Sequence, residues 1–153
     1  MIPPLTDEGL LPPGIHPSTW EEVEAQFGYN SSRLRLLTGL RSAARLLAAA
    51  GCRTLYIDGS FVTGKRLPED FDACWDDKGV NVQAVPDIFF QFGNARAAQK
   101  AAFRGELFPA SIPAAEVVTP IGRHFTLYLE FFQKTKDGAL KGILSIDLTV
   151  HVP

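Results

Sequence analysis

Two aspartates separated by one residue are the part of this sequence best suited to carry chemistry. Asp70 and Asp72 flank Phe71, and the composition of residues 71–75 predicts a buried β-strand. Residues two apart on a strand lie on one face, so we expect both carboxylates to share a face opposite the core. Adjacent carboxylates repel each other unless a cation lies between them, and their hard oxygen atoms favour Mg²⁺ or Mn²⁺.

A later aspartate is the candidate third carboxylate. Residues 142–150 alternate between polar and apolar side chains, which predicts a strand with Asp147 on its polar face. We expect this strand to neighbour the one that carries Asp70 and Asp72, with the three carboxylates within about 4–6 Å of one another. Such a trio would hold two metal ions, which stabilise the attacking and leaving oxygens of an in-line phosphoryl displacement.

A predicted hairpin adds one more acidic candidate. Residues 125–133 also alternate, and Asp137-Gly138 is a strong turn signal between them and residues 142–150. A two-residue turn there would place Glu130 on the same side of the sheet as Asp147. We therefore include Glu130 as an additional candidate for the site.

A glycine-serine turn follows the first predicted strand, residues 54–58. Gly59 lets the backbone approach a ligand closely, and the Ser60 hydroxyl with the next amides suits terminal phosphates. Lys65 and Arg66 lie in the same connection and would add cationic contacts. The turn therefore predicts a phosphate-binding element beside the carboxylates.

The same turn also partly matches the Walker A motif, a different nucleotide-binding loop. Residues 59–65 match G-x-x-x-x-G-K, most of a Walker A loop. The next residue is Arg66 where Ser or Thr must bind Mg²⁺, and Pro68 prevents the long helix that must follow. We therefore exclude a P-loop ATPase.

The remaining pattern predicts the elements that position these residues. It predicts a proline-rich irregular arm over 1–17, a helix over 20–28 after a capping box at 18–21, a helix over 33–50 capped near Asn30 and stopped by Gly51, a helix over 94–105, and a loop over 105–113 that contains Glu106. We expect Glu106 to shape the rim of the site, but no chemical mechanism follows for it. Together the elements indicate an α/β or α+β fold, a mixed sheet flanked by helices in one domain over 18–153.

Composition limits the function classes. With 153 residues, 46% of them hydrophobic, the chain can build one core. A net charge of −2 argues against broad, sequence-independent nucleic-acid binding, which needs an extended basic surface. The sequence shows no secretory signal and no apolar run long enough to span a membrane, so we expect a cytoplasmic protein with Cys52 and Cys74 reduced and buried.

The pattern of a Gly-Ser turn, then Asp-x-Asp, then a single later Asp resembles the DNA polymerase β-type nucleotidyltransferase superfamily. More narrowly, residues from about 11 to 149 resemble small bacterial members of it, through the runs DGSFVT, DFD, GELFPA, EFFQ and SIDL. The resemblance implies transfer of a nucleoside monophosphate from a nucleoside triphosphate, dependent on Mg²⁺ or Mn²⁺ held by Asp70, Asp72 and Asp147. It also implies a macromolecular acceptor, a protein or an RNA, and a role in a toxin–antitoxin or antiphage system.

One departure from the larger members keeps a second function open. Many of them carry a helical region after the third aspartate that grips the base or the acceptor, whereas this sequence stops at Pro153. We then expect the N-terminal helices, a second subunit or a partner protein to hold the acceptor. The alternative is a non-catalytic nucleotide- or partner-binding module with the same fold. Acceptor, base preference and oligomeric state stay open at this point.

Overall fold

A five-stranded sheet carries the residues of interest. The computed structural model describes the backbone of residues 1–153 and every side chain except that of Val117. The strands are β1 (Gly14–Pro17), β2 (Thr54–Asp58), β3 (Phe71–Trp75), β4 (Gly105–Pro109), β5 (Pro113–Thr119), β6 (Gly122–Leu127) and β7 (Gly142–Asp147). The helices are α1 (Trp20–Phe27), α2 (Ser31–Ala49), α3 (Gly93–Phe103) and α4 (Tyr128–Phe131), with 3₁₀ turns at Ser60–Val62, Val82–Ala84 and Asp87–Phe90.

The strand order explains which residues meet. The main sheet runs β1-β7-β2-β3-β4, with β2 antiparallel to both of its neighbours, β4 parallel to β3, and β1 parallel to β7. Strands β5 and β6 form a separate two-stranded antiparallel sheet. The fold is therefore a single α+β domain with a mixed sheet, as predicted from the sequence.

One face of the main sheet packs against the helices. Leu55, Ile57, Ala73 and Ile146 alternate along their strands into this core and are fully buried. The predicted stripe of α2 meets them, because its residues Leu36, Leu40, Ala43 and Leu47 are all buried. The opposite face of the sheet is left for the polar residues and for a second, aromatic cluster.

Helix boundaries follow from local capping. Thr19 caps α1, and its capping box pairs it with Glu22, one residue later than the Ser18 box that the sequence suggested. Asn30 caps α2 through the backbone amide of Arg33, as expected. Gly51 takes a φ of +92° just after α2, which is the predicted helix stop.

The structure corrects three predictions of elements. The predicted loop over 105–113 begins with β4, which pairs with β3 and leaves no room for a Cβ at Gly105, where the Phe71 ring would be 2.5 Å away. The predicted irregular arm ends in β1, and its Ile2 and Leu11 are buried in the core. The predicted strand over 125–133 contains the end of β6 and then α4.

The predicted hairpin is also wrong. β7 pairs with β2 and β1, and the isolated bridge between Lys134 and Leu140 lies in the connection between the two expected arms. The Asp137-Gly138 turn therefore closes a short loop and does not set the register of β7. No helix in the described structure has both the length and the apolar character needed to cross a membrane.

Candidate functional site

Three carboxylates lie side by side on neighbouring strands, at the end of the sheet where β2 finishes and β3 and β4 begin. Asp58 of β2 is paired with Asp72 of β3, and Asp72 is paired with Glu106 of β4. Directly paired residues project from the same face of a sheet, and neighbouring strands are about 4.8 Å apart. These residues therefore form a row, which we call the acidic row. Asp70 directly precedes β3, two residues before Asp72.

The glycine-serine turn lies directly against this row. Gly59 follows Asp58 with a φ of +75°, a backbone conformation that favours glycine. A Cβ on Gly59 would lie 2.2 Å from Asp72 Oδ2, so another residue type would clash with the carboxylate. The 3₁₀ turn that begins at Ser60 thus starts within contact distance of the acidic row, as the predicted phosphate-binding element requires.

Basic side chains neutralise the two ends of the row. At one end, Lys141 Nζ lies 3.3 Å from Asp58 Oδ1. At the other end, Glu106 Oε1 accepts hydrogen bonds from Arg96 Nε and Nη2 at 3.0 and 2.8 Å, and Lys100 Nζ lies 3.2 Å away. Within the described part of the chain, no ion pair reaches Asp72, so the central carboxylate has no counter-ion.

The protonation of the row reflects this imbalance. The pKa of Asp72 is raised to about 8. The causes are burial first, then a hydrogen bond with Glu106 and the negative charges of Glu106, Asp70 and Asp58. Burial raises the pKa of Asp58 to about 6, against the opposing effect of Lys141. Burial also opposes ionisation of Glu106, but hydrogen bonds with Asp72, Arg96 and Lys100 lower its pKa below the ordinary value. Asp72 therefore ionises less readily than Glu106 when no cation is bound.

Asp70 completes the acidic group from outside the row. Its pKa is raised by burial first and then by the charge of Glu106, while Lys100 and Lys65 act in the opposite direction. The Asp70 side chain is half-buried, so it is shielded from full hydration but still reachable. Its charge acts on Asp72, but Asp70 is not among the residues that line the cavity over the row.

The oxygen donors fit a hard divalent cation. Asp58 is buried, with the ammonium of Lys141 3.3 Å from its Oδ1, and a cation beside Asp72 would favour the ionised carboxylate that burial now opposes. No three His, Cys, Asp or Glu side chains of the described residues converge closely enough to hold a metal ion as they stand. Arg96 and Lys100 account for this at Glu106, because they occupy the carboxylate that would have to turn toward the ion.

The structure removes Asp147 from the predicted site. Its side chain does lie on the face of the acidic row, as its strand parity indicated, but β7 pairs it with Thr54, four residues from Asp58. That offset is about 13 Å along the strand. Asp147 is exposed and accepts hydrogen bonds from the amide and hydroxyl of Thr149 at 2.9 and 2.6 Å, which lower its pKa. The predicted trio of Asp70, Asp72 and Asp147 is therefore wrong.

The other sequence candidates divide between the site and the surface. A cavity of about 1280 Å³ opens over the acidic row, and Gly59, Ser60 and Lys65 line it. Arg66 is exposed and does not line this cavity. Glu130 is exposed on α4 and does not line it either, so its predicted site role is not supported by its position.

Sequence reasoning missed Glu106 as a member of the carboxylate group. The Gly-Glu-Leu-Phe run alternates in the manner of a strand, but Gly105 and the prolines at 109 and 113 favoured a loop. The alternation of Glu106 and Phe108 against buried Leu107 was the signal that could have identified it.

Sequence reasoning also missed the buried Arg33, which fixes the loop after the glycine-serine turn. Its guanidinium donates to the carbonyls of Phe27 at 3.1 Å, Phe61 at 2.6 Å, Thr63 at 2.9 Å and Lys65. Burial lowers the pKa of this arginine. Its position three residues before Leu36 places it on the buried stripe of α2, and that spacing was the available signal.

Comparison with known proteins places the chain in a family and gives no function. No curated protein and no solved structure is significantly similar to it. A family of unknown function (DUF6932) matches residues 3–147, a range that contains Gly59, the acidic row and all of β1 to β7. This match covers nearly the whole domain, and the chain belongs to the family of unknown function DUF6932.

Proposed function

We propose that this protein is a metal-dependent nucleotidyltransferase that moves a nucleoside monophosphate from a nucleoside triphosphate to an acceptor. The observation that carries the proposal is the register that pairs Asp72 with Glu106, with Gly59 pressed against Asp72. Asp70, Asp72 and Glu106 are the residues that would hold Mg²⁺ or Mn²⁺, with Glu106 taking the place expected for Asp147. This set agrees with the polymerase β-type resemblance of the Gly-Ser and Asp-x-Asp motifs.

The phosphates have a matching environment in the same cavity. Ser60 and the amides of its 3₁₀ turn supply hydrogen-bond donors, and Lys65 and Lys141 supply positive charge. Arg33 holds the carbonyls of residues 61, 63 and 65 inward, which fixes the course of the loop that carries these donors. The loop is thus ordered before a ligand arrives, which lowers the entropic cost of binding.

The reaction joins an acceptor oxygen to the α-phosphorus and breaks the bond to the bridging oxygen of the β-phosphate. Bound divalent ions would supply the Lewis acidity that activates the acceptor oxygen and stabilises the departing pyrophosphate. The proton of the acceptor hydroxyl passes to a carboxylate of the acidic group. Ser60 and Lys65 hold the pyrophosphate portion, and the buried position of Asp58 and Asp72 limits access of water.

The acceptor and the setting rest on the resemblance alone. We expect a macromolecular acceptor, a protein or an RNA, and a role in a toxin–antitoxin or antiphage system. Cys52 and Cys74 are buried and unpaired in the structure, which suits a reducing compartment such as the cytoplasm.

One observation favours a second candidate, a nucleotide- or partner-binding module without catalysis. Arg96 and Lys100 already neutralise Glu106. In such a module these two basic side chains would stand permanently in place of the metal ions. In that case the cavity would bind a nucleotide without transferring any part of it.

Labelled transfer distinguishes these functions. Incubate the protein with α-³²P-labelled ATP or GTP, Mn²⁺, and total RNA and lysate of its host. We expect label on a macromolecule with the wild type and with Asp147→Asn, and none with Asp72→Asn. If nucleotide binds but no label moves under any metal or nucleotide, the non-catalytic function replaces the proposal. Equal transfer by wild type and Asp72→Asn would show that the acidic row is not the catalytic site.

A further inference from the structure

Aromatic side chains form one wall of the cavity over the acidic row. Phe108, Tyr128, Phe131 and Phe132 all line it, and we call them the aromatic wall. Tyr128 stacks on Phe108 with ring centroids 4.1 Å apart and planes 9° apart. Phe132 lies 6.1 Å from Phe108 and 5.8 Å from Tyr128, so three rings form a compact group.

The aromatic wall begins where the acidic row ends. Phe108 follows Glu106 by two residues on β4, so both side chains lie on the same face, about 7 Å apart along the strand. The rest of the wall comes from α4 and the residue after it, which cover this end of the sheet. One cavity thus joins a flat apolar surface to a charged, oxygen-rich one.

Phe131 is the member of the wall left uncovered. Its side chain is 48% exposed, whereas Phe108 and Phe132 are buried at 6% and 7%. Its two ring neighbours, Tyr128 and Phe132, are inclined to it by 79° and 66°. No parallel ring stacks on Phe131 among the described residues, so a planar group can still be added there.

We propose that the aromatic wall binds the nucleobase of the nucleoside triphosphate, by stacking on Phe131. The inference rests on the proposed function and names how the same site recognises its substrate. A ligand of this cavity must be planar and apolar at the Phe131 end and anionic at the Ser60 and Lys65 end. A nucleotide has that distribution of chemistry, whereas a lipid or a plain phosphate lacks the planar ring.

Stacking also determines the expected base preference. Every base has a π-face, so a stacking platform tolerates different bases. We therefore expect ATP and GTP to bind with similar affinity. The site would thus hold the base within this domain itself.

Binding measurements with two probes separate the base from the phosphates. Calorimetric titration with ATP and with inorganic tripolyphosphate is done on wild type, Phe131→Ala and Phe131→Trp, in Mg²⁺. The matched control is Phe125→Ala, because Phe125 is 59% exposed on β6 and does not line the cavity. We expect Phe131→Ala to weaken ATP about fivefold to 150-fold. It should leave tripolyphosphate unchanged, and Phe131→Trp should restore ATP binding.

The outcomes separate this inference from the proposed function. If Phe131→Ala binds ATP as the wild type does, or weakens tripolyphosphate equally, base stacking on Phe131 is wrong even where label transfer succeeds. If ATP binding depends on Phe131 but no label is ever transferred, base stacking stands and catalysis is wrong. If the wild type binds neither probe, both proposals are wrong.

Discussion

Replacing Asp72 with asparagine should stabilise the metal-free protein, and increasingly so as the pH rises. The folded-state pKa of about 8 lies above the ordinary value of 3.8, so the folded protein holds a proton that the unfolded chain has lost. Stability of the wild type therefore falls as the pH rises between these values and is flat above them. Asparagine has nearly the same shape and cannot ionise, so the variant lacks this loss.

The structure sets the size of the effect. A difference of about four pKa units, at about 1.4 kcal/mol each, gives an upper limit on the order of 6 kcal/mol. Because Glu106 shares the proton with Asp72, the measured gain will be smaller. We expect Asp72→Asn to unfold with a free energy at least about 1 kcal/mol higher than the wild type at pH 8, and with little difference at pH 4.

Urea denaturation in a chelating buffer, at several pH values between 4 and 8.5, measures this effect. The matched control is Asp87→Asn, since Asp87 is exposed and far along the chain from the acidic row. Its stability difference should be small and should not follow the same pH trend. A loss of several kcal/mol in Asp72→Asn at pH 8 would refute the reasoning, because it would make Asp72 a structural hydrogen-bonding residue.

Three further substitutions test the elements around the site. Arg33→Met should lower the free energy of unfolding in urea by at least about 3 kcal/mol, because four backbone carbonyls lose their hydrogen-bond donor. The control is Arg35→Met, because Arg35 is exposed on the same helix, and it should lower the free energy of unfolding by less than about 0.5 kcal/mol. Gly59→Ala should destabilise by at least about 2 kcal/mol, since its φ is +75° and its Cβ would meet Asp72, and a wild-type melting temperature would contradict that geometry. Ala95→Gly should stabilise by about 1 kcal/mol because Ala95 has a φ of +52°, whereas Ala97→Gly, in the right-handed part of α3, should destabilise by about the same amount. Thermal melts that show a loss for both glycine variants would argue against the left-handed backbone conformation shared by Asn94, Ala95 and Arg96.

Local signals in the sequence predicted much of the frame of the site. The short apolar runs identified β2 and β3, and the amphipathic stripe identified α2 with its cap and its glycine stop. The Gly59-Ser60 turn and the Asp70-Phe-Asp72 spacing also follow from local rules of turn and strand geometry. These rules use residues that are neighbours in the chain, and they therefore succeed without knowledge of the sheet order.

The sites of Asp147 and Glu106 could not be predicted from the sequence, because they depend on which distant strands pair in the sheet. The face on which Asp147 lies was predicted correctly, but its position depends on β7 running antiparallel to β2. A single turn signal at Asp137-Gly138 favoured a hairpin, and the contacts of β7 with β1 and β2 outweighed it. Glu106 joined the site because β4 pairs with β3 across a distance of more than thirty residues, a choice that no local pattern specifies.

The central claim is that Glu106, and not Asp147, completes the carboxylate group with Asp70 and Asp72. Titration of Mn²⁺ in the presence of ATP, followed by electron paramagnetic resonance of the free ion, tests this on wild type, Glu106→Gln and Asp147→Asn. We predict saturable Mn²⁺ binding that is at least about tenfold weaker in Glu106→Gln and unchanged in Asp147→Asn. Equal binding by Glu106→Gln and wild type, or a loss confined to Asp147→Asn, would contradict the account.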